Sequence, residues 1–354
     1  MQKTKFIILK IKSLIIPSCI CLFTTMLIVF SNANFESCKY GIKLWANSVV
    51  PSLLPFFIAT ELLNYTNFVY LLGKVFDKIM RPIFNVPGNS TFPLIMGIIS
   101  GYPVGAKIVS NLKLQGSLSN EEAERLLAFT NNSGPLFIVG TVGIGLFKNI
   151  QVGIILLITH VLASLTIGFL FRWWKPSCNN FCNKKREKVA KPLFPSSQIS
   201  AKNLGEILSK SIMNAINTVL LIGGFIVLFS VIISMLESSK VLSILSNILA
   251  PFLHACNIPP YFSTGIISGI VELTHGLSKI ALISTGNLSI TICAFILGFG
   301  GISVCLQILS IISKAEISIK PYIIGKLLQG FLAAVYTYLI INFIPFFSQI
   351  QSIL

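Results

Sequence analysis

The sequence predicts an all-α polytopic membrane protein made of two inverted repeats. Each repeat holds three spans, an amphipathic helix and a re-entrant hairpin, and an extra helix precedes them at the N-terminus. Three observations lead there. The 354 residues are 54% hydrophobic and only 11% charged, against roughly 45–50% and about 25% in an ordinary soluble domain. The 27 Lys and Arg outnumber the 11 Asp and Glu, yet they collect in a few stretches between long apolar runs. Finally, two Gly/Pro/Ser-rich motifs recur in the same order in both halves.

The composition excludes a cytosolic enzyme, a disordered tail protein and a small disulfide scaffold. The net charge of +16 does not point to nucleic acid, because the basic residues sit in loops beside apolar segments, the positive-inside pattern. Most of the eight cysteines lie in or beside apolar runs and read as free thiols packed as small hydrophobes. Cys178 and Cys182 share a polar loop, but two thiols make at best half of a zinc site. No metal or cofactor is expected, and no Walker, Rossmann or HExxH pattern supports ATP-driven pumping or membrane proteolysis.

The first apolar run is 14–30, preceded by Lys3, Lys5, Lys10 and Lys12. Ser31-Asn32-Ala33 offers small residues at the spacing a signal peptidase reads, so residues 1–40 form an anchor helix or a signal peptide. The anchor is the preferred reading, and residue 41 lies outside in both cases. Residues 41–171 make the first repeat, 172–210 a basic cytoplasmic loop and 211–354 the second repeat. The spans are 41–63, 126–147 and 150–171, then 211–236, 288–312 and 321–344, each about the roughly 20 residues a bilayer needs. Segments 65–84 and 241–256 carry helical apolar spacing broken by polar residues or Pro, as interfacial helices do. Segments 91–110 and 261–282 are too rich in Gly and Pro for a continuous helix. At membrane depth such backbone survives where protein buries it or it lines a cavity, hence two re-entrant hairpins. With a cytoplasmic N-terminus, the inside segments hold Lys74, Lys78, Arg81, Lys113, Arg125, the 172–210 loop, Lys314 and Lys320. The outside keeps Lys39, Lys148 and Lys240, plus Lys43 at a helix start.

The repeat rests on identities. Gly97-Ile-Ile-Ser-Gly101 returns as Gly265-Ile-Ile-Ser-Gly269, Asn85-Val86-Pro87 as Asn257-Ile258-Pro259, and Pro82 as Pro251. Ala128-Phe129 returns as Ala294-Phe295 and Gly134 as Gly300, all at separations of 166–172 residues. Five features in one order argue for duplication. Three crossings per unit is an odd number, so the second unit is inverted. Inverted repeats with broken helices in matching positions are the sequence mark of a secondary transporter, with the site where the hairpins meet.

The chemistry concentrates in three segments. The first hairpin reads Ser100-Gly101-Tyr102-Pro103-Val104-Gly105-Ala106-Lys107. Its glycines permit close backbone approach, and Lys107 either offers a cation to an anionic substrate or snorkels to the headgroups. Asn131-Asn132-Ser133-Gly134-Pro135 places amides and a hydroxyl at a break inside an apolar span, facing substrate or a neighbouring helix. The second hairpin carries Glu272, Thr274, His275, Ser278 and Lys279. An acid at membrane depth is a functional candidate by default, so Glu272 either takes a coupling proton, coordinates a cation or pairs with Lys107 or Lys279. His275 beside it titrates near neutral pH. Ser119 and Glu122 read as a capping box opening a helix. Glu61 and His160 read as satisfied contacts near span ends. Gly223-Gly224 and Gly300-Gly301 read as helix-packing points.

The runs at 100–107, 121–129 (Glu-Glu-Ala-Glu-Arg-Leu-Leu-Ala-Phe) and 131–135 closely resemble the YlbJ-type sporulation integral membrane proteins, part of the wider nucleoside-recognition, or gate-domain, membrane family. The resemblance extends from about residue 40 onward, and Glu-Leu-Thr-His-Gly at 272–276 adds less to it. It implies a protein of the mother-cell membrane surrounding the forespore that moves dipicolinic acid toward the spore. For such a dicarboxylate, Lys107, Lys279 and the hairpin helix N-termini are the expected receptors, with Tyr102 placed to stack on the ring. The alternatives are a nucleoside or ion-coupled carrier, or a non-transporting scaffold or channel subunit of spore assembly. The expected partners are the anionic substrate, the bilayer, H+ or Na+ as coupling ion, and a second copy or other sporulation membrane proteins. No nucleic acid is expected.

Overall fold

A computed structural model describes residues 2–66, 68–175 and 203–343 of the chain. Most of the basic loop, with Cys178 and Cys182, lies outside the described residues. Those described form fifteen α-helices and no strand. Helix α1 (Gln2–Val29) turns into α2 (Ser31–Leu44) at Phe30, with a bend of 97° between 16–29 and 31–47. A π-turn at Trp45–Val49 carries α2 on into α3 (Val50–Asn64). Pro51 and Pro55 lack the N–H that a regular ladder needs, and widening the helix ahead of them accommodates this.

After α3 the first half continues with α4 (Phe68–Phe84), the paired helices α5 (Thr91–Ile99) and α6 (Val104–Leu114), α7 (Asn120–Thr130), a π-helix at Leu136–Leu146 and α8 (Ile150–Leu170). The second half runs in parallel order: α9 (Leu204–Ser238), α10 (Val241–Ala255), the pair α11 (Ser263–Val271) and α12 (Leu273–Ile283), α13 (Asn287–Phe299), α14 (Gly301–Ile312) and α15 (Lys320–Phe343). The backbone repeats along with the helices. Asn85 and Asn257 both take positive φ, at 54° and 57°, and so do Lys148 and Glu316, at 56° and 54°. Short 3-10 turns precede both hairpins, Gly88–Ser90 and Pro260–Phe262.

The spans expected at 126–147 and 288–312 are both broken, the first at the Gly-Pro break expected inside it and the second where a continuous span was expected. In the first, Pro135 has no N–H and crowds the carbonyl four residues back, so Asn131–Gly134 is non-helical before the π-helix begins. In the second, Gly300 and Gly301 take φ of 84° and 82°, a left-handed step that glycine adopts without a Cβ clash. The pair also serves the expected close packing, since a Cβ at Gly301 would stand 3.1 Å from the Gly269 carbonyl oxygen. Among the described residues, four helices are long and apolar enough to cross a membrane, or five if the bent α1–α2 pair counts as one. Many of the large side chains left exposed on them are apolar, such as Leu220 on α9 and Phe331 on α15, as lipid contact favours.

The start of α7 follows the capping-box expectation. Ser119 Oγ accepts the Glu122 N–H at 3.2 Å, and Glu122 Oε2 accepts the Ser119 N–H at 2.8 Å. Ser119→Ala is expected to cost about 1 kcal/mol, read as a lower thermal midpoint in detergent with an unchanged elution profile. At the far end of α8, Gly168 leaves room for Phe84 and Phe129, stacked with centroids 5.0 Å apart. That contact ties the amphipathic α4 to the broken span.

Candidate functional site

Each hairpin turns at a polar tip. In the first, Gly101 (φ 84°) and a cis Tyr102–Pro103 bond lead into α6, whose N-cap is Pro103. In the second, Glu272 is the extended residue between α11 and α12 and caps α12. Its Oε2 accepts the His275 N–H at 2.8 Å and its Oε1 accepts the Thr274 hydroxyl at 3.0 Å. A carboxylate at a helix N-terminus is stabilised by the orphan N–H groups and the helix dipole, which explains an acid only 3% exposed.

The two tips meet. Gly101 and Tyr102 from the first, Glu272 and Thr274 from the second, Gly134 from one broken span and Ser303 and Gln307 from the other line a cavity of about 30 Å³. Ser52 and Leu53 of α3 and Ile222 and Ile226 of α9 close its sides. The first tip is fixed to the broken span by its backbone, Tyr102 N–H donating to Asn132 O at 2.6 Å. The Gln307 side-chain oxygen is buried without a hydrogen-bond partner.

Of the residues singled out by sequence, Gly101, Tyr102, Glu272 and Thr274 come together here. Gly134 joins them, and the other candidate substrate-binding residues are not part of the lining. Lys107 donates to Glu61 Oε1 at 2.6 Å and to Thr218 Oγ1 at 3.3 Å, while Asn214 Nδ2 donates to Glu61 Oε2 at 3.2 Å. Glu61 is therefore a buried ion-pair partner rather than an interfacial contact. Lys279 pairs with Glu237 and donates to Ser268 Oγ at 3.1 Å. The two pairs are repeats of one another: each joins the second helix of a hairpin to the acid near the end of its own unit's first long helix. Thr218 lies near the middle of α9 and Glu237 at its end, so the pairs lie roughly 30 Å apart at 1.5 Å per residue.

His275 turns away from the cavity, its Nε2 3.0 Å from Ser230 Oγ and its ring 5.1 Å from that of Tyr40. Ser278 is half-buried along α12 and is not part of the lining. Gly105 packs against the Thr130 carbonyl. Gly223 packs on Trp45, whose indole N–H donates to Val219 O at 2.9 Å, whereas Gly224 faces open space.

The amides at 131–133 face protein. Asn131 Nδ2 donates to the Tyr322 hydroxyl at 3.1 Å, and Asn132 Nδ2 donates to Phe129 O at 2.8 Å and Ser164 Oγ at 3.0 Å. Ser133 N–H donates to His160 Nε2 at 3.2 Å, so His160 is a buried mid-helix group and not a span-end contact. Asn132 Oδ1 accepts Gln329 Nε2 at 2.9 Å and faces Lys326 Nζ at 3.5 Å. Sequence reasoning passed over Lys326, Gln329, Ser303 and Gln307. The signal for Lys326 was available, since it is a charge inside the apolar run of the last span.

Comparison with known proteins gives three findings. The family model described as "Gate: Nucleoside recognition" matches residues 46–172 and 219–318. The chain is 38% identical over 342 residues to the "Sporulation integral membrane protein YlbJ" of Bacillus subtilis (strain 168), covering 94% of this chain and 83% of that protein. Its fold resembles the solved structure of "CNTnw in an inward-facing substrate-bound state", with a TM-score of 0.55, 13% identity, and coverage of 91% of this chain and 87% of the other. With matching hairpins, matching breaks and a relative this similar along nearly its whole length, the chain belongs to the Gate, or nucleoside-recognition, membrane family, among its YlbJ-type sporulation integral membrane proteins.

Proposed function

We propose that the protein is a secondary transporter or facilitator that moves a small organic anion, dipicolinic acid, across the membrane around the forespore. The observation that carries this reading is the convergence of both hairpin tips and both broken spans on one small cavity. Inverted repeats with broken helices arranged in this way are the architecture of secondary transporters. A cavity of about 30 Å³ admits about one water molecule. Cargo therefore enters only when the tips part, as alternating access requires.

The same proposal includes re-entrant hairpins, repeat units at 41–171 and 211–354, a cytoplasmic N-terminus and a mother-cell location. The distribution of Lys and Arg supports the orientation, and the sporulation name of the relative supports the location.

The lining suits a carboxylated ring in a particular way. Lys107 and Lys279 are engaged elsewhere, so the favourable charge comes from helix starts, α6 behind Tyr102 and α14 at Ser303. The Tyr102 and Ser303 hydroxyls and the Gln307 amide supply hydrogen bonds. The Glu272 charge is already met by its capping contacts. A nucleoside is the second reading, favoured by a carboxylate among hydroxyls, which ribose hydroxyls match, and by the description of the family.

Uptake of labelled dipicolinate by the full-length protein in liposomes tests this. The expected result is saturable uptake, lowered at least about tenfold by Tyr102→Ala, with protein level and elution unchanged; losing one well-made cargo contact of about 1.4 kcal/mol gives that factor. Uridine uptake without dipicolinate uptake would transfer the site to nucleosides. Uptake of neither would leave the scaffold role.

A further inference from the structure

Lys326 is a charge that the cavity chemistry does not use. It lies in α15, 3% exposed, its Nζ donating to Gln329 Oε1 at 2.8 Å and reaching Asn132 Oδ1 at 3.5 Å. Among the described residues no carboxylate forms an ion pair with it. His160 on α8 and Cys305 on α14 are the ionisable groups that face it. Tyr322 lies one turn earlier on its own helix, bound to Asn131. On α13 the ionisable residue is Cys293. On α7, Glu121, Glu122, Glu124 and Arg125 fall in the first two turns, away from it; Glu124 is bound to Lys175, and Arg125 donates to the Trp174 and Lys175 carbonyls.

An ammonium has three protons to donate, and two acceptors meet this one. An unpaired buried cation costs several kcal/mol, so the charge on this amine depends on the anions brought near it. A short path joins it to the cargo cavity. Asn132 faces Lys326 with its side-chain oxygen and holds the Tyr102 N–H with its backbone oxygen, and Tyr102 is part of the cavity lining.

We propose that Lys326 is the coupling residue of the carrier: it gains a proton as an anion enters the cavity and gives it up as the anion leaves. The proposal rests on the transporter reading above. The proton comes from water on the loading side, is held on Nζ and returns to water on the releasing side, with no bond formed to the cargo. One proton then accompanies each anion. Linkage makes the effect reciprocal: an anion that favours the ammonium form by some factor binds that form more tightly by the same factor.

Calorimetric titration of the full chain in detergent with dipicolinate tests it, using buffers of different ionisation enthalpy between pH 6.5 and 9.5, where the ligand's own carboxyls stay ionised. For the wild type, the binding enthalpy is expected to follow the buffer, with proton uptake approaching one per ligand. The affinity is expected to fall about a hundredfold across the range, equivalent to two units of displaced titration, the displacement at which uptake approaches one proton. Lys326→Gln and Lys326→Arg are expected to bind with buffer-independent enthalpy and flat affinity. Wild-type proton uptake persisting in both variants would overturn the proposal. So would loss of binding in both with elution unchanged, which would make Lys326 a structural residue. Absence of binding to the wild type is a separate result that retires the anion cargo itself, whereas binding without proton uptake retires only the role of Lys326.

Discussion

Gly97→Ala and Gly105→Ala are each expected to prevent the first hairpin from seating. A Cβ at 97 would stand 1.7 Å from the Thr130 carbonyl oxygen, and one at 105 would stand 2.1 Å from the same atom. The obstacle is backbone at the end of α7, which no side-chain rotation relieves. Packed interiors respond to such overlap with backbone shifts costing about 1–3 kcal/mol or more, so at least about 3 kcal/mol is expected for either glycine, placing both among the severe substitutions. Gly140→Ala and Gly224→Ala meet nothing within 4 Å and serve as controls, expected within about 0.5 kcal/mol of wild type. Fluorescence-detected gel filtration and thermal unfolding in detergent check all four. Gly97→Ala unfolding within a degree or two of the controls would mean that the hairpin does not ride on Thr130.

Glu61→Gln and Lys107→Met are expected to be costly alone and mild together. Removing one member of a buried pair strands the other charge, at about 3–5 kcal/mol when both are fully enclosed. Lys107 keeps 31% of its side chain exposed and Glu61 10%, so water relieves part of that and about 2–3 kcal/mol is expected for each single change. The double variant removes both charges and is expected within about 1 kcal/mol of wild type, a coupling that a double-mutant cycle measures directly. Transport gives the second reading of the same cycle. A latch predicts that uptake lost in Lys107→Met returns in the double variant, whereas a lysine that binds cargo predicts that it stays lost.

These pairs also show where sequence reasoning stops. Hydropathy and the recurring Gly-Ile-Ile-Ser-Gly were enough to infer two units and two hairpins, because the duplicated residues kept their identity. Asn85 and Asn257 kept both residue type and left-handed backbone. Lys148 and Glu316 kept only the backbone, so identity matching missed them. The break at Asn131–Gly134 was legible in its amides and Gly-Pro step, whereas the one at Gly300–Gly301 vanishes when hydropathy is averaged over a span, since the flanking residues are as apolar as any helix requires. The polar tips were legible because polar groups at membrane depth are expensive wherever they fall. Which of them share a wall was not. Lys107 meets Glu61 across 46 positions and Lys279 meets Glu237 across 42, and neither lysine lines the cavity between the hairpin tips. The amides at 131–133 were correctly read as needing partners. They found them on α8 and α15, on residues a window centred on the break does not include.

The two latches differ in how much water they see. Glu61 is nearly enclosed, while Glu237 keeps 47% of its side chain exposed. Dissolved salt screens the open pair and largely spares the enclosed one. The two halves, alike in fold, therefore carry one ion pair that responds to dissolved salt and one whose strength is set by packing.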